Sequence, residues 1–435
     1  MNNTEFEKRR KQLMKMVGPG GIAILPSAPV RTRSRDVEYR FRQDSDFYYL
    51  TGFPEPEAVA VLVPGRDNGE YLLFCREKDP ARELWDGQRT GQDGAIEAFG
   101  ADDAFPIEDL DDILPGIMES CERVYYTMGM YAEFDARMAD WVNTLRAKLS
   151  RGVQSPHEFV ALDHLLHDMR LFKSKGEISA MRKSARVAVE AHKRAMRMVR
   201  PGLYEYEVEA ELRYEFRRNG GGVSYNPIVG GGANACILHY VENNQPLNDG
   251  DLLLIDAGCE IDYYASDITR TFPVNGRFSP EQRALYQVVL DAQQAAIAKT
   301  VVGNHWNEPH DAAVKAITKG LKKLGLLEGS VARLLKDEAY QQFYMHRTGH
   351  WIGMDVHDVG DYKVGDEWRM LEPGMVTTVE PGIYTGHSRK VPKRFRNIGI
   401  RIEDDVAVTR KGPDVLSKGL VSDPEGIEAL MNASA

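Results

Sequence analysis

Two stretches of this chain share a pattern that few folds accommodate. Residues 247–258 read LNDGDLLLIDAG and residues 371–382 read LEPGMVTTVEPG. Leucine, the first glycine, a β-branched residue, an acid and the last glycine recur at a constant offset of 124 residues (371 − 247), so Glu380 stands where the first copy has Asp256. Each copy contains an apolar run of strand length and is followed by a second strand-like run bearing acid: Ile268 to Phe272 after Asp267, and Ile398 to Val408 with Glu403 inside it. The repeat predicts two similar β-hairpins facing each other across a pseudo-twofold axis. A buried carboxylate left unpaired costs several kcal/mol or gives up its charge. These four acids therefore need a partner.

In the first hairpin, a symmetric turn at Ile261-Asp262 would set Asp256 directly opposite Asp267, with Cβ atoms ~4.5–5.5 Å apart. In the second, alternation along Ile400-Arg401-Ile402-Glu403 sends the isoleucines to one face and Arg401 and Glu403 to the other. Arg270 and Arg401 are too few to neutralise four buried acids. Carboxylates converging across the axis instead suit two divalent ions, ~3.5–4 Å apart, with a hydroxide clamped between them. A third element, MHRTGHWIGMDVHDVG (345–360), holds His346, His350 and His357, three of the chain's 11 histidines. Only one of them need bind metal, and the spacing does not choose among them. His239, in CILHY, is a fourth candidate near the first repeat.

The rest of the chain sets the frame. Its 435 residues predict two or three domains, and 43% hydrophobic with 28% charged residues is the composition of a soluble globular protein. A formal charge of −10 gives no electrostatic footprint for nucleic acid. The opening MNNTEFEKRRKQLMKM lacks the apolar core of a secretory signal, and the apolar run Ala58 to Val63 is far too short to span a bilayer. Cys75, Cys121, Cys236 and Cys259 are scattered and read as reduced core thiols, consistent with a cytoplasmic protein and no membrane partner. Residues 1–172 alternate β-like runs (Ile22 to Leu25, Asp46 to Leu50, Ala58 to Val63, Tyr71 to Cys75) with helical stretches, a mixed α/β domain. Ser174 and Glu177 form a capping-box signature. Behind it Ile178, Met181, Ala185, Ala188, His192 and Ala195 keep helical spacing until Arg200-Pro201-Gly202. This places a second domain at 173–435. No GxGxxG strand-to-helix turn, Walker lysine loop, HExxH helix or GxSxG elbow is present.

The segments LIDAGCE…SDITRTFPV, HWIGMDVHDVG, TVEPGIY and GIRIEDD together resemble the pita-bread metallopeptidases, and over nearly the whole chain the aminopeptidase P group within them. YRFRQDSDFYYLTGFPEPEAV and ELWDGQRTGQ extend the likeness into the first domain. The resemblance implies a creatinase-like N-terminal α/β domain followed by a pita-bread catalytic domain, an α/β (α+β) architecture. It implies five metal ligands, Asp256, Asp267, His350, Glu380 and Glu403, with Asp267 and Glu403 bridging two ions, Mn²⁺ being the family's usual choice and Co, Zn or Fe the substitutes. The implied activity is release of the N-terminal residue from Xaa-Pro-Yaa peptides by attack of a metal-bridging hydroxide, in a homo-oligomer (dimer or tetramer). His239 and His357 would contact substrate or the tetrahedral intermediate, and His346 matches a further position of the motif. Glu380 would carry a proton toward the leaving nitrogen, and Tyr362, Arg369, Arg401 and Trp85 would be pocket or support residues, Trp85 across a subunit boundary. Arg347-Thr348-Gly349 departs from the Gly-Leu-Ser of the best-known members, and the segment from Tyr362 to Glu372 is one residue longer. Prolidase shares the fold and all five ligands, methionine aminopeptidase lacks so long a first domain, and creatinase lacks the acids. Non-catalytic pita-bread binding modules have lost ligands that this chain retains.

Overall fold

The computed structural model, which describes residues 3–433 apart from 120 and 390, divides into two compact units, Met1–Met169 and Arg170–Ala435. The first is built on a six-stranded mixed sheet in the order Asp103–Pro106, Tyr71–Cys75, Val59–Leu62, Gly21–Pro26, Arg123–Tyr125, Glu158–Val160. Its middle strands, GIAILP, VAVL and YLLFC, are apolar on both faces and almost wholly buried, as strands covered on both sides must be. Asp46 to Leu50, expected as a strand, is instead part of the helix Ser45–Thr51. The end signals decide this. Asp44 accepts a hydrogen bond from the Phe47 amide at 2.9 Å, and Gly52 closes the helix at φ 67°.

In the second unit the capping box of Ser174 and Glu177 opens the helix Lys175–Met198, which buries Met181, Ala185, Ala188, His192 and Ala195. His192 is enclosed, its Nε2 3.1 Å from the Ala257 carbonyl; burial holds its pKa down to about 4, so the ring packs as a neutral core group. In the first hairpin Leu252–Asp256 pairs with Thr269–Pro273, and Cys259–Ile261 with Tyr264–Ala265. The turn falls on Asp262-Tyr263, both at positive φ (52° and 67°), one residue later than the symmetric turn expected above. Asp256 consequently faces Thr269, and Asp267 lies diagonal to it. A two-residue turn of positive-φ residues matches the twist of the flanking strands. Gly258 also lets the chain double back tightly, since a Cβ there would sit 1.7 Å from the Ser266 carbonyl oxygen. The slip moves partners by two positions, so both aspartates keep their face.

The second hairpin has the same construction. Val376–Val379 pairs with Asp404–Thr409, and Gly382–Tyr384 with Gly399–Arg401. The run expected as one strand from Ile398 to Val408 is thus two strands broken at Ile402-Glu403. At that break Glu403 forms a β-bridge with Thr269 of the other hairpin, its amide donating to the Thr269 carbonyl at 3.0 Å. This junction is the local twofold axis. Ile255, Ile268, Ile400 and Ile402 enter one apolar core with the long helices, which leaves the opposite side of both hairpins to carry charge.

Candidate active site

That opposite side lines a cavity of about 1080 Å³ in the second unit. Asp256, Asp267, His350, Glu380, Glu403, His239, His346, His357, Tyr362 and Arg401 all reach its wall. Arg369 is not among the lining residues. Trp85 projects from the short helix Pro80–Asp86 of the first unit, 84% exposed, and is not among them either.

The four acids do converge, and the hairpin register puts them there. His350 points Nε2 at the cluster, 3.4 Å from Asp267 Oδ2 and 3.7 Å from Glu380 Oε1, while its Nδ1 lies 3.0 Å from the Trp351 carbonyl. That carbonyl fixes the tautomer and frees Nε2, the arrangement metal-binding histidines adopt. Ligand atoms of Asp267, His350 and Glu403 lie within 4.8 Å of one another. Glu380 enters from the end of its strand, anchored by its amide donating to the Thr348 carbonyl at 2.7 Å. The glycine of the HRTGH motif is required here: a Cβ on Gly349 would come 2.1 Å from the Thr378 carbonyl oxygen.

Charge accounting separates a metal centre from a salt-bridge network. Arg270 turns away and pairs with Asp404 at 2.8 Å. Arg401 Nη2 reaches Asp256 Oδ2 at 2.6 Å, the one arginine paired with any of the four acids among the described residues. Burial, reinforced by the other carboxylates, pushes Glu403 well above the usual carboxylate range and Glu380 up to about 7. Burial also raises Asp256, against the pull of Arg401. Burial alone would raise Asp267 too, but its hydrogen bond to His350 and that ring's charge hold it low. His350 is driven up to about 9: burial opposes the charged ring, and Asp267 and Glu380 overcome it. A buried cluster of four carboxylates and one oriented imidazole with a single arginine is under-neutralised. Oxygen-rich donors with one nitrogen suit hard divalent cations, so the residues present fit the expected ions.

Three partners of the cluster are not singled out by the sequence reading. Tyr225 places its hydroxyl 2.5 Å from both Asp256 Oδ1 and Asp267 Oδ1. Thr269 donates to Glu403 Oε2 at 2.6 Å. Tyr384 links the Arg401 guanidinium (2.8 Å) to His346 Nε2 (2.9 Å). Tyr225 lies in an irregular stretch with no periodicity to flag it; Tyr384 could have been suspected from its place just past the second repeat. Burial and the nearby Arg401 push His346 down to about 3, so it is a neutral ring. His239 and His357 line the cavity with ring nitrogens uncommitted to protein partners among the described residues. None of the four cysteines is among the residues lining the cavity, and burial pushes the Cys259 thiol up to about 12.

Comparison with known proteins gives the same picture. The sequence pattern of Metallopeptidase family M24 matches residues 179–410, and that of the Aminopeptidase P N-terminal domain matches residues 6–125. The chain is 44% identical to an Xaa-Pro aminopeptidase of Escherichia coli strain K12, covering 100% of this chain and 99% of that protein. It is 43% identical to an Xaa-Pro aminopeptidase of Haemophilus influenzae, covering 98% and 97%. Among solved structures it superposes on Pseudomonas aeruginosa aminopeptidase PepP with a TM-score of 0.99 at 61% identity, covering 100% of this chain and 99% of that one. An E. coli aminopeptidase P variant solved with substrate gives 0.97 at 44% identity, again covering 100% and 99%. The chain belongs to metallopeptidase family M24, in its aminopeptidase P group.

Proposed function

We propose that this protein is a metal-dependent aminopeptidase that releases the N-terminal residue from peptides with proline in second position. The carrying observation is the under-neutralised cluster: three buried acids and the half-buried Glu380, one oriented histidine and one paired arginine on the wall of a peptide-sized cavity. The relatives named Xaa-Pro aminopeptidase, and a zinc-substituted E. coli aminopeptidase P solved with product, support the same reading. Asp256, Asp267, His350, Glu380 and Glu403 would hold two divalent ions, Mn²⁺ by preference, with Asp267 and Glu403 shared. Bound there, such ions supply Lewis acidity and the means to ionise water near neutral pH.

The chain's own groups do the rest. Arg401 and Tyr384 fix Asp256 and His346 by direct hydrogen bonds, so the reacting groups are held before substrate arrives. His239 and His357 present free ring nitrogens to hydrogen-bond the substrate carbonyl region. Glu380, whose Oε2 lies 3.8 Å from His346 Nδ1, would pass a proton toward the leaving nitrogen. A peptide bond to proline has no N–H, so selection rests on ring shape, for which Tyr362 supplies an aromatic wall. The cavity volume of about 1080 Å³, slightly above the ~300–1,000 Å³ usual for ligand sites, favours tripeptides and longer chains over dipeptides.

Leu84 and Trp85, 86% and 84% exposed side by side, support a homo-oligomer that covers them. Four unbridged cysteines suit the cytoplasm, and among the described residues no helix is long and apolar enough to cross a membrane. The test compares kcat/KM on an Xaa-Pro dipeptide, an Xaa-Pro-Yaa tripeptide and its Xaa-Ala-Yaa counterpart, with chelated and Mn²⁺-restored enzyme. Preference for the tripeptide with loss on chelation is expected. Preference for the dipeptide would make this a prolidase, and full activity without metal would remove the site.

A further inference from the structure

The cavity wall has a second chemical character beyond the acid cluster. Lys363 and Trp368 sit directly opposite each other in a short hairpin, Lys363–Val364 paired with Glu367–Trp368, closed through Gly365 at φ 60°. Paired residues share a face, and Lys363 Nζ lies 4.9 Å from the centre of the Trp368 ring. Arg347 approaches the same ring, its guanidinium carbon 5.2 Å from the centre, and its Nη2 donates to Asn307 Oδ1. Lys363, Trp368 and Arg347 all line the cavity that holds the acids.

Among the described residues neither cation has a carboxylate within ion-pairing distance, although the exposed Asp361 lines the same cavity. Of the arginines and lysines on this wall, Arg401 is committed to Asp256, so these two are the ones open to a ligand. Arg347 is also where this sequence departs from the Gly-Leu-Ser expected between the first two histidines.

We infer that Arg347 and Lys363, held against Trp368, form a carboxylate-binding subsite for the residue that follows proline in the substrate. The inference rests on the Xaa-Pro reading and narrows its substrate class. A carboxylate beyond the scissile bond seeks positive charge, and with Arg401 tied to Asp256 that charge is offered on this wall by Arg347 and Lys363. His346, next to Arg347 in the chain, has its Nδ1 3.8 Å from Glu380 Oε2, so this cation starts beside the acid cluster. Two extended residues span ~7 Å, which lets a bound peptide reach from the cluster to a long side chain rooted there. Aromatic contact limits the freedom of each cation and leaves its donors outward, and a guanidinium fork matches carboxylate geometry. The carboxylate has two possible sources, the C-terminus of a tripeptide or an acidic side chain in its third position.

The experiment measures kcat/KM on Ala-Pro-Ala, Ala-Pro-Ala amide and Ala-Pro-Asp amide, for wild type and for Arg347→Gln/Lys363→Gln, in the Mn²⁺-loaded full chain at low and high salt. Wild type should favour the free acid over the neutral amide by ~10-fold, mainly through KM and less so in salt, as for exposed charge-assisted pairs. The double variant, its fold checked by melting, should bring that ratio within ~2-fold. A high rate on Ala-Pro-Asp amide assigns the subsite to side chains, and a low one assigns it to the C-terminus. Indifference of wild type to all three, or a preference that survives in the double variant, overturns the inference while leaving the Xaa-Pro activity standing. Failure to cleave any of the three overturns the activity itself.

Discussion

The metal-free protein should gain stability from Glu380→Gln, the substitution that should cost the metal-loaded protein most. Burial and its carboxylate neighbours lift Glu380 from the ordinary 4.5 to about 7. An acid whose folded pKa exceeds its unfolded one opposes folding when ionised. The penalty is absent below about 4.5, grows through the window to about 7, and is complete above it. A rise of that size corresponds to ~3 kcal/mol at full ionisation. Part of this is returned by His350, whose rise to about 9 comes from Asp267 and Glu380. That stabilisation is present below 6.5 and is lost as pH climbs through 9, so at pH 8 the variant forfeits a share of it. A net gain of ~1–2 kcal/mol remains, or ~2–8 °C in Tm for a unit of this size.

The assay is melting of chelator-treated wild type and Glu380→Gln at pH 5 and pH 8, with and without Mn²⁺. At pH 8 without metal the variant should melt higher, and at pH 5 the two curves should nearly coincide. Adding Mn²⁺ should raise wild type, since a ligand at 100 times its Kd adds ~2.7 kcal/mol, and leave the variant almost unmoved. An apo variant melting below wild type at pH 8, or a gap independent of pH, would refute the claim that these acids repel one another in the absence of metal.

Further outcomes follow from single contacts. Asp267→Asn and Glu403→Gln should each lower turnover by at least ~10²-fold and lower bound metal by elemental analysis, with the circular dichroism spectrum retained; near wild-type rates would remove that residue from the site. Asp358→Ala should cost ~3–5 kcal/mol in denaturant unfolding, because Asp358 is the buried acid that meets Arg170 at 2.5 Å and Lys173 at 2.9 Å; an unchanged midpoint would show that the two cations find other partners. Cys259→Ala should leave turnover intact, and thiol reagents should not inhibit the folded enzyme, since the thiol is enclosed and its pKa lies far above neutral.

The sequence carried the site better than it carried the connections. The repeat of Leu247–Gly258 in residues 371–382, the acid after each run and the alternation at Ile400-Arg401-Ile402-Glu403 are short-range patterns, and each leads to the observed face. Turn position is a weaker signal: Asp262 suits positive φ but Tyr263 rarely adopts it, so the sequence alone sets the turn one residue early and Asp256 opposite Asp267. The helix at Ser45–Thr51 was hidden because Phe47, Tyr48, Tyr49 and Leu50 suit a strand by composition, while Asp44 and Gly52 decide the outcome from outside the run. Tyr225 was invisible for a different reason. Its role exists only once Asp256 and Asp267 are brought together, and nothing local to residue 225 encodes that meeting.

The repeat also explains why the site is lopsided. The two hairpins keep equivalent registers, so Asp256 facing Thr269 corresponds to Glu380 facing Glu403. Thr269 and Glu403 are therefore equivalent positions, and they are also the pair that bridges the hairpins, with the threonine hydroxyl donating to the carboxylate. An acid at both would set a second charge against Glu403 on the axis. One step along, the equivalent of Arg270, opposite Ile255, is Asp404, opposite Val379, and these two form the 2.8 Å ion pair behind the site. Two residues before Thr269, Asp267 corresponds in the same way to Arg401. At each of these positions one copy keeps the acid and the other supplies a neutral or cationic residue. Doubling the first copy would give four acids with no arginine among them, and doubling the second would give four acids with two; neither yields a cluster of four carboxylates with one of them tied to a single arginine. The divergence of the copies thus sets the charge of the site, and the shared backbone sets its geometry.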